Sequence, residues 1–230
     1  MAESPFSAPM PHTCRSESRR RRLHWVASQF SSFVRKRQFG CRLLPGSRAG
    51  ARAGAGGRGS KLAAAVDAAR VFLDQLRFDR GDQAAIVAFN ASATLIQPLT
   101  GDRAALDQAL GGIRTAQQTC IVCAVEAGWA ELASTRHAVD HAAVLVLLTD
   151  GRSNPRPAAE AVARAGEAKA AGVTVFTIGL GADVEADALA AIASRPGYFY
   201  LAPDGEALAD IYRAIAVELP CPAGALWGGR

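Results

Sequence analysis

From residue 61 onward, apolar positions recur first at helical spacing and then in continuous runs, and the two patterns alternate along the chain. Leu62, Val66, Ala69, Phe72, Leu73 and Leu76 line one face of a segment, Lys61 to Leu76, that contains no Gly or Pro and predicts a helix. Asp79-Arg-Gly-Asp82 ends it. Ala84 to Phe89 is an unbroken apolar run that predicts a buried strand, and Ala93 to Leu99 predicts an edge partner after the Asn90-Ala-Ser turn. Asp102 is placed to cap a helix running through Leu110 and Ile113. Thr119 opens a third helix toward Ser134, with Val122, Val125, Trp129 and Leu132 on its inner face. Ala142 to Leu148 is apolar throughout, as a central strand covered on both faces must be. A helix over 157–171 closed by Gly172, a strand over 173–178, a helix over 184–194, a strand over 198–201 and a helix over 204–217 capped by Asp204 complete the series. Strands alternating with helices through short links predict an α/β fold, a Rossmann-like three-layer sandwich with a mostly parallel sheet between helices.

Residues 1–60 follow another regime. They are rich in Arg, Ser, Pro, Gly and Ala and end in the low-complexity stretch Arg48-Ala-Gly-Ala-Arg-Ala-Gly-Ala-Gly-Gly-Arg58. The chain therefore divides into a basic, disordered arm (1–60), a folded domain (61–219) and a short tail (220–230). Charge sharpens this division. The arm holds twelve Lys and Arg against Glu3 and Glu17, a net of +10, whereas the remaining 14 basic and 19 acidic residues leave −5. A pI near 9.2 thus describes neither part. Arg19–Arg22, the apolar series Leu23, Val26, Phe30, Phe33 and Val34, and Arg35-Lys-Arg37 fit either a basic amphipathic helix on a nucleic acid or anionic membrane, or a solvated cationic tail.

Five scattered cysteines do not make a disulfide framework, and a reducing compartment is expected. No apolar run reaches the length of a membrane span, and Leu23 to Val34 is too interrupted for a signal peptide, so a soluble cytoplasmic protein is expected. Cys120-x-x-Cys123 with His137-x-x-x-His141 matches a loose zinc pattern. However, about fourteen helical residues at ~1.5 Å each would hold the pairs roughly 20 Å apart. Part-buried thiols or a redox pair at a helix start are the alternatives. Gly179-Leu-Gly-Ala-Asp-Val184 lacks the third glycine of a dinucleotide loop and reads as a turn. No nucleophile elbow, phosphate loop or metalloprotease helix occurs, and the chain reads as a non-enzyme.

Four patterns in their order, Lys61-Leu-Ala-Ala-Ala-Val-Asp-Ala-Ala, Gly81-Asp-Gln-Ala-Ala-Ile-Val-Ala-Phe, Val146-Leu-Leu-Thr-Asp-Gly151 and Gly172-Val-Thr-Val-Phe-Thr-Ile-Gly-Leu-Gly181, resemble the von Willebrand factor type A family across about residues 61 to 217. The resemblance implies a protein-binding module. In that family Mg²⁺ or Mn²⁺ sits at the carboxyl ends of the strands in a metal-ion-dependent adhesion site, and an acidic residue of the protein partner completes its coordination. Thr119 and Asp150 match the family's threonine and aspartate ligands, with Gln117-Gln118 where two glycines often stand. The family's Asp-x-Ser-x-Ser sequence is absent: Gly56-Gly-Arg-Gly-Ser60 precedes Lys61, and no aspartate occurs before Asp67. Two matched ligands hold too few anionic oxygens for a small hard cation, so a degenerate site with weak or no metal binding is expected.

The first, central strand of the family is expected to be missing as well, leaving two strand edges open. Leu43-Leu44 is short and Pro45 follows it. The compositional break suggests that residues 1–60 arose by a frame error or as a fused remnant, so the other outcomes to weigh are a binder acting through the arm and a fragment without function.

Overall fold

The computed structural model describes residues 23–28, 60–114, 116–137 and 141–218. A six-stranded sheet, in the order β3-β2-β1-β4-β5-β6, lies between two layers of helices. Its strands are β1 (Leu23–Ser28), β2 (Gln83–Phe89), β3 (Ala93–Thr100), β4 (Ala142–Thr149), β5 (Thr174–Leu180) and β6 (Phe199–Ala202). Only β3 runs antiparallel to its neighbour. The helices are α1 (Ser60–Leu73), α2 (Arg103–Gly112), α3 (Ile121–Leu132), α4 (Ala158–Ala170), α5 (Ala186–Ile192) and α6 (Gly205–Glu218).

The side-chain period of two explains the layers. On β4, Val144, Val146 and Leu148 pack with Phe72 and Leu73 of α1, Leu106 and Leu110 of α2, and Leu208, Tyr212 and Ile215 of α6. Leu145 and Leu147 point the other way, into a second core with Ile121, Val122 and Val125 of α3, Ala161, Ala165 and Ala168 of α4, and Leu189 and Ile192 of α5. The edge strand β3 alternates half-buried and exposed residues and tolerates Pro98, as an edge can.

The expectation of a missing first strand is overturned. Leu23–Ser28 occupies the centre of the sheet, parallel to β2, with His24 opposite Gln83, and to β4, with Leu23 opposite Ala142. Both edges expected to be open are therefore paired. Leu23-His-Trp-Val-Ala-Ser contains neither Gly nor Pro, and its Trp and Val suit extended backbone. Over 23–28 the apolar spacing that fits a helix is realised as a strand instead, and that strand lies within the span assigned to a disordered arm; residues 29–34 lie outside the described residues. Arg19–Arg22, Arg35–Arg37, the Gly/Ala/Arg stretch and the 220–230 tail lie outside the described residues.

Capping follows the sequence. Asp102 accepts the Ala104 and Ala105 N–H groups at the start of α2, and Asp204 accepts those of Glu206 and Ala207 at the start of α6. Gly172 has φ 90°, the left-handed conformation expected where α4 stops. The first helix ends at Leu73, earlier than its apolar period, although Leu76 remains buried in the turn that follows. The third begins at Ile121 with Cys120 as its cap, so Thr119 stands just before the helix.

Candidate binding site

Because β1, β2, β4 and β5 are parallel, their carboxyl ends meet along one rim, where open α/β sheets bind ligands. Asp150 follows β4 directly and is half-exposed at this rim. Thr119 reaches the same place from the other side. Its backbone N–H donates to Asn154 O (3.0 Å) and its carbonyl accepts the Asn154 N–H (3.1 Å), an isolated bridge that joins the segment before α3 to the loop after β4. A Cβ built on Gly151 would lie 3.1 Å from Thr119 Oγ1, so the hydroxyl sits against the backbone just after Asp150. The two residues matched from sequence are thus brought together. The left-handed backbone of Gln118 (φ 73°) explains a preference for glycine at that position.

A cationic group at the rim comes from Lys61. Its Nζ lies 3.9 Å from Asp150 Oδ2 and near Gly181, where a Cβ would be 3.5 Å away. The sequence reading placed Lys61 only at a helix start. The usable signal was topological: a helix that follows a parallel strand starts at the strands' carboxyl ends, so its first turn faces the rim. Glu185 stabilises the adjoining loop, accepting the Ser153 N–H (3.2 Å) and pairing with Arg152. Asn90, after β2, accepts the Cys120 N–H through its carbonyl at 2.6 Å.

Thr119 and Asp150 by themselves are a poor fit for a divalent cation. Mg²⁺ and Mn²⁺ need several oxygen ligands, anionic ones in particular. Asp150 supplies the one matched carboxylate and already faces the Lys61 ammonium, which repels a second cation. Among the described residues no group of three or more His, Cys, Asp or Glu could hold a metal ion. Beyond Ser28 the sequence continues Gln29-Phe-Ser-Ser-Phe33, without a carboxylate.

The cysteines correct a second expectation. Cys120 and Cys123 are joined as a disulfide, with Cα atoms 5.3 Å apart, rather than standing as thiols. Both sulfurs are thereby committed to one another and not to zinc. Gly179 ends in close packing within β5, where a Cβ would meet Val184 Cγ2 at 2.9 Å, and Gly181 takes a left-handed turn (φ 84°). Among the described residues no helix is long and apolar enough to cross a membrane.

Comparison with known proteins agrees with this geometry. A family model described as von Willebrand factor type A domain matches residues 56–214. No curated protein sequence matches the chain significantly. Among solved structures, proximal thread matrix protein 1 from the mussel byssus, with a zinc-occupied metal-ion-dependent adhesion motif, superposes with a TM-score of 0.60 at 20% identity, covering 85% of this chain and 44% of that one. A von Willebrand factor type A protein from Catenulispora acidiphila gives a TM-score of 0.57 at 23% identity over 67% of this chain and 37% of its own. The corresponding domain of a type V pili tip protein from Porphyromonas gingivalis gives 0.59 at 16% identity, over 85% and 93% respectively. This chain spans less than half the length of the mussel and Catenulispora proteins.

Proposed function

Since the chain belongs to the von Willebrand factor type A family, we propose that it is a non-enzymatic protein-binding module whose adhesion site is degenerate and engages its partner without a bridging metal. The observation that carries this reading is the Lys61–Asp150 pair at 3.9 Å, which sets an ammonium against the carboxylate matched to the family's aspartate ligand. The cation offered to an acidic residue of the partner is then the Lys61 ammonium. Because both side chains are about half-exposed, the pair adds little stability, and its ammonium stays accessible. Two of the similar structures, a byssal matrix protein and a pilus tip protein, are in keeping with a binding role.

The test joins metal and partner. Thermal melts followed by circular dichroism are expected to show a cooperative transition whose midpoint millimolar Mg²⁺ or Mn²⁺ leaves unmoved, since only a ligand of the folded state raises it. A photo-crosslinker at Gln117 on the rim is expected to capture a partner in the presence of chelator, and Lys61→Glu is expected to abolish capture. An upward metal shift, or capture that chelator removes, would restore the metal-bridged reading. Absence of any transition would instead indicate a fragment.

A further inference from the structure

Cys120 and Cys123 both belong to the first turn of α3, so their disulfide joins no two separate elements. It encloses only two residues, and so short a loop removes little entropy from the unfolded chain. Stability is a poor account of it. Its surroundings suit chemistry better. Cys120 is fully buried, whereas Cys123 is only partly buried, which favours Cys123 as the side on which a solvent-borne reagent approaches. Cys120 is the cap residue of the helix, and its Sγ accepts the Cys123 N–H at 3.3 Å. A backbone N–H and the positive end of a twelve-residue helix both favour negative charge on that sulfur.

We propose that Cys120–Cys123 is an exchangeable disulfide, opened by a small thiol at Cys123, that controls the Thr119 segment of the binding rim. A thiolate of the glutathione class attacks Cys123 Sγ. The new S–S bond forms there as the Cys120–Cys123 bond breaks, and the electron pair leaves on Cys120 Sγ, where the helix N-terminus receives it. A second thiol resolves the mixed disulfide, releasing the oxidised small-molecule disulfide. The protein gains two electrons and two protons as a dithiol. Thr119 is next in the chain to Cys120, bridges Asn154, and is followed by the Cys120 N–H bond to Asn90, so the disulfide anchors a segment stitched to two rim loops. Opening it removes the covalent tie between the cap residue and the first turn of α3, leaves Cys120 held there by its hydrogen bonds alone, and slackens that stitching.

The full chain, held in glutathione buffers without denaturant, is quenched in acid and alkylated. The tryptic peptide 115–136 is then read by mass spectrometry, which separates this pair from Cys14, Cys41 and Cys221. Reduction of the pair in the folded protein is expected, at a rate that low denaturant leaves unchanged. Reduction seen only as the chain unfolds would overturn the proposal in favour of a structural bridge. Glutathione disulfide is expected to modify Cys123 in Cys120→Ser and to leave Cys120 unmodified in Cys123→Ser; the reverse pattern overturns the assigned point of attack. If either variant fails to fold, the wild-type result decides alone. Hydrogen exchange at the Thr119 and Asn154 amides is expected to quicken about tenfold on reduction. Unchanged exchange there would overturn control of the rim.

Discussion

Glu131 is an acidic residue committed to the fold. Its carboxylate is 3% exposed, accepts the Leu99 N–H from β3 at 2.7 Å, and pairs with Arg136 through two hydrogen bonds of 2.8 and 2.5 Å. Burial pushes its pKa up, but the bonds from Arg136 and the Leu99 N–H, with the Arg136 charge, outweigh burial and hold it below the ordinary value. The lowered pKa sets the sign of a pH effect. Its contribution is complete above the unfolded glutamate value of about 4.3 and is lost as pH falls through the folded value. Glu131→Gln is therefore expected to destabilise the protein near neutrality, by about 1–3 kcal/mol as the charge-assisted bonds are lost. Urea titrations from pH 7 down to 3 should show the gap between variant and wild type closing in acid. A gap that stays constant would show that the carboxylate's ionisation is unimportant.

Between elements, α6 approaches α1 closely at Gly205. A Cβ on Gly205 would fall 2.3 Å from Ala64 Cβ, so the two helices meet at a spacing that only glycine permits there. Gly205→Ala is expected to cost about 1–3 kcal/mol through overpacking, read from the midpoint of chemical unfolding. An unchanged midpoint would mean that α6 shifts freely away from α1. Such contacts were not legible in advance, because they depend on how helices remote in sequence meet. The elements were more readable. The run Ala142 to Leu148 could only be a strand buried on both faces, and Asp102, Gly172 and Asp204 mark helix ends by chemistry that acts within a few residues. Leu23–Ser28 was misread because its partners lie far along the chain, and six residues carrying Trp and Val fit a helical stripe as well as a strand. At the rim, Thr119 and Asp150 were singled out by family pattern. Lys61 and the disulfide were not, since a distance between side chains is a property of the assembled rim.

For the molecule as a whole, the sheet is continuous only through β1, which bridges the β3-β2 half and the β4-β5-β6 half. Val26→Pro removes an N–H and fixes φ in a strand paired on both sides, and cooperative unfolding is expected to disappear. A normal melt of that variant would show that the two halves hold together through their helices alone. The pairing also has a temporal side. Val26 stands opposite Ala85 on one side and Leu145 on the other, so its partners are made about 60 and about 120 residues later. On a ribosome adding about 5–20 residues each second, the first strand to emerge waits several seconds for each neighbour. Of the six strands it is the first made and the one that waits longest for its second neighbour, and during that interval its exposed backbone is open to capture by a chaperone or by the matching strands of a nascent neighbour.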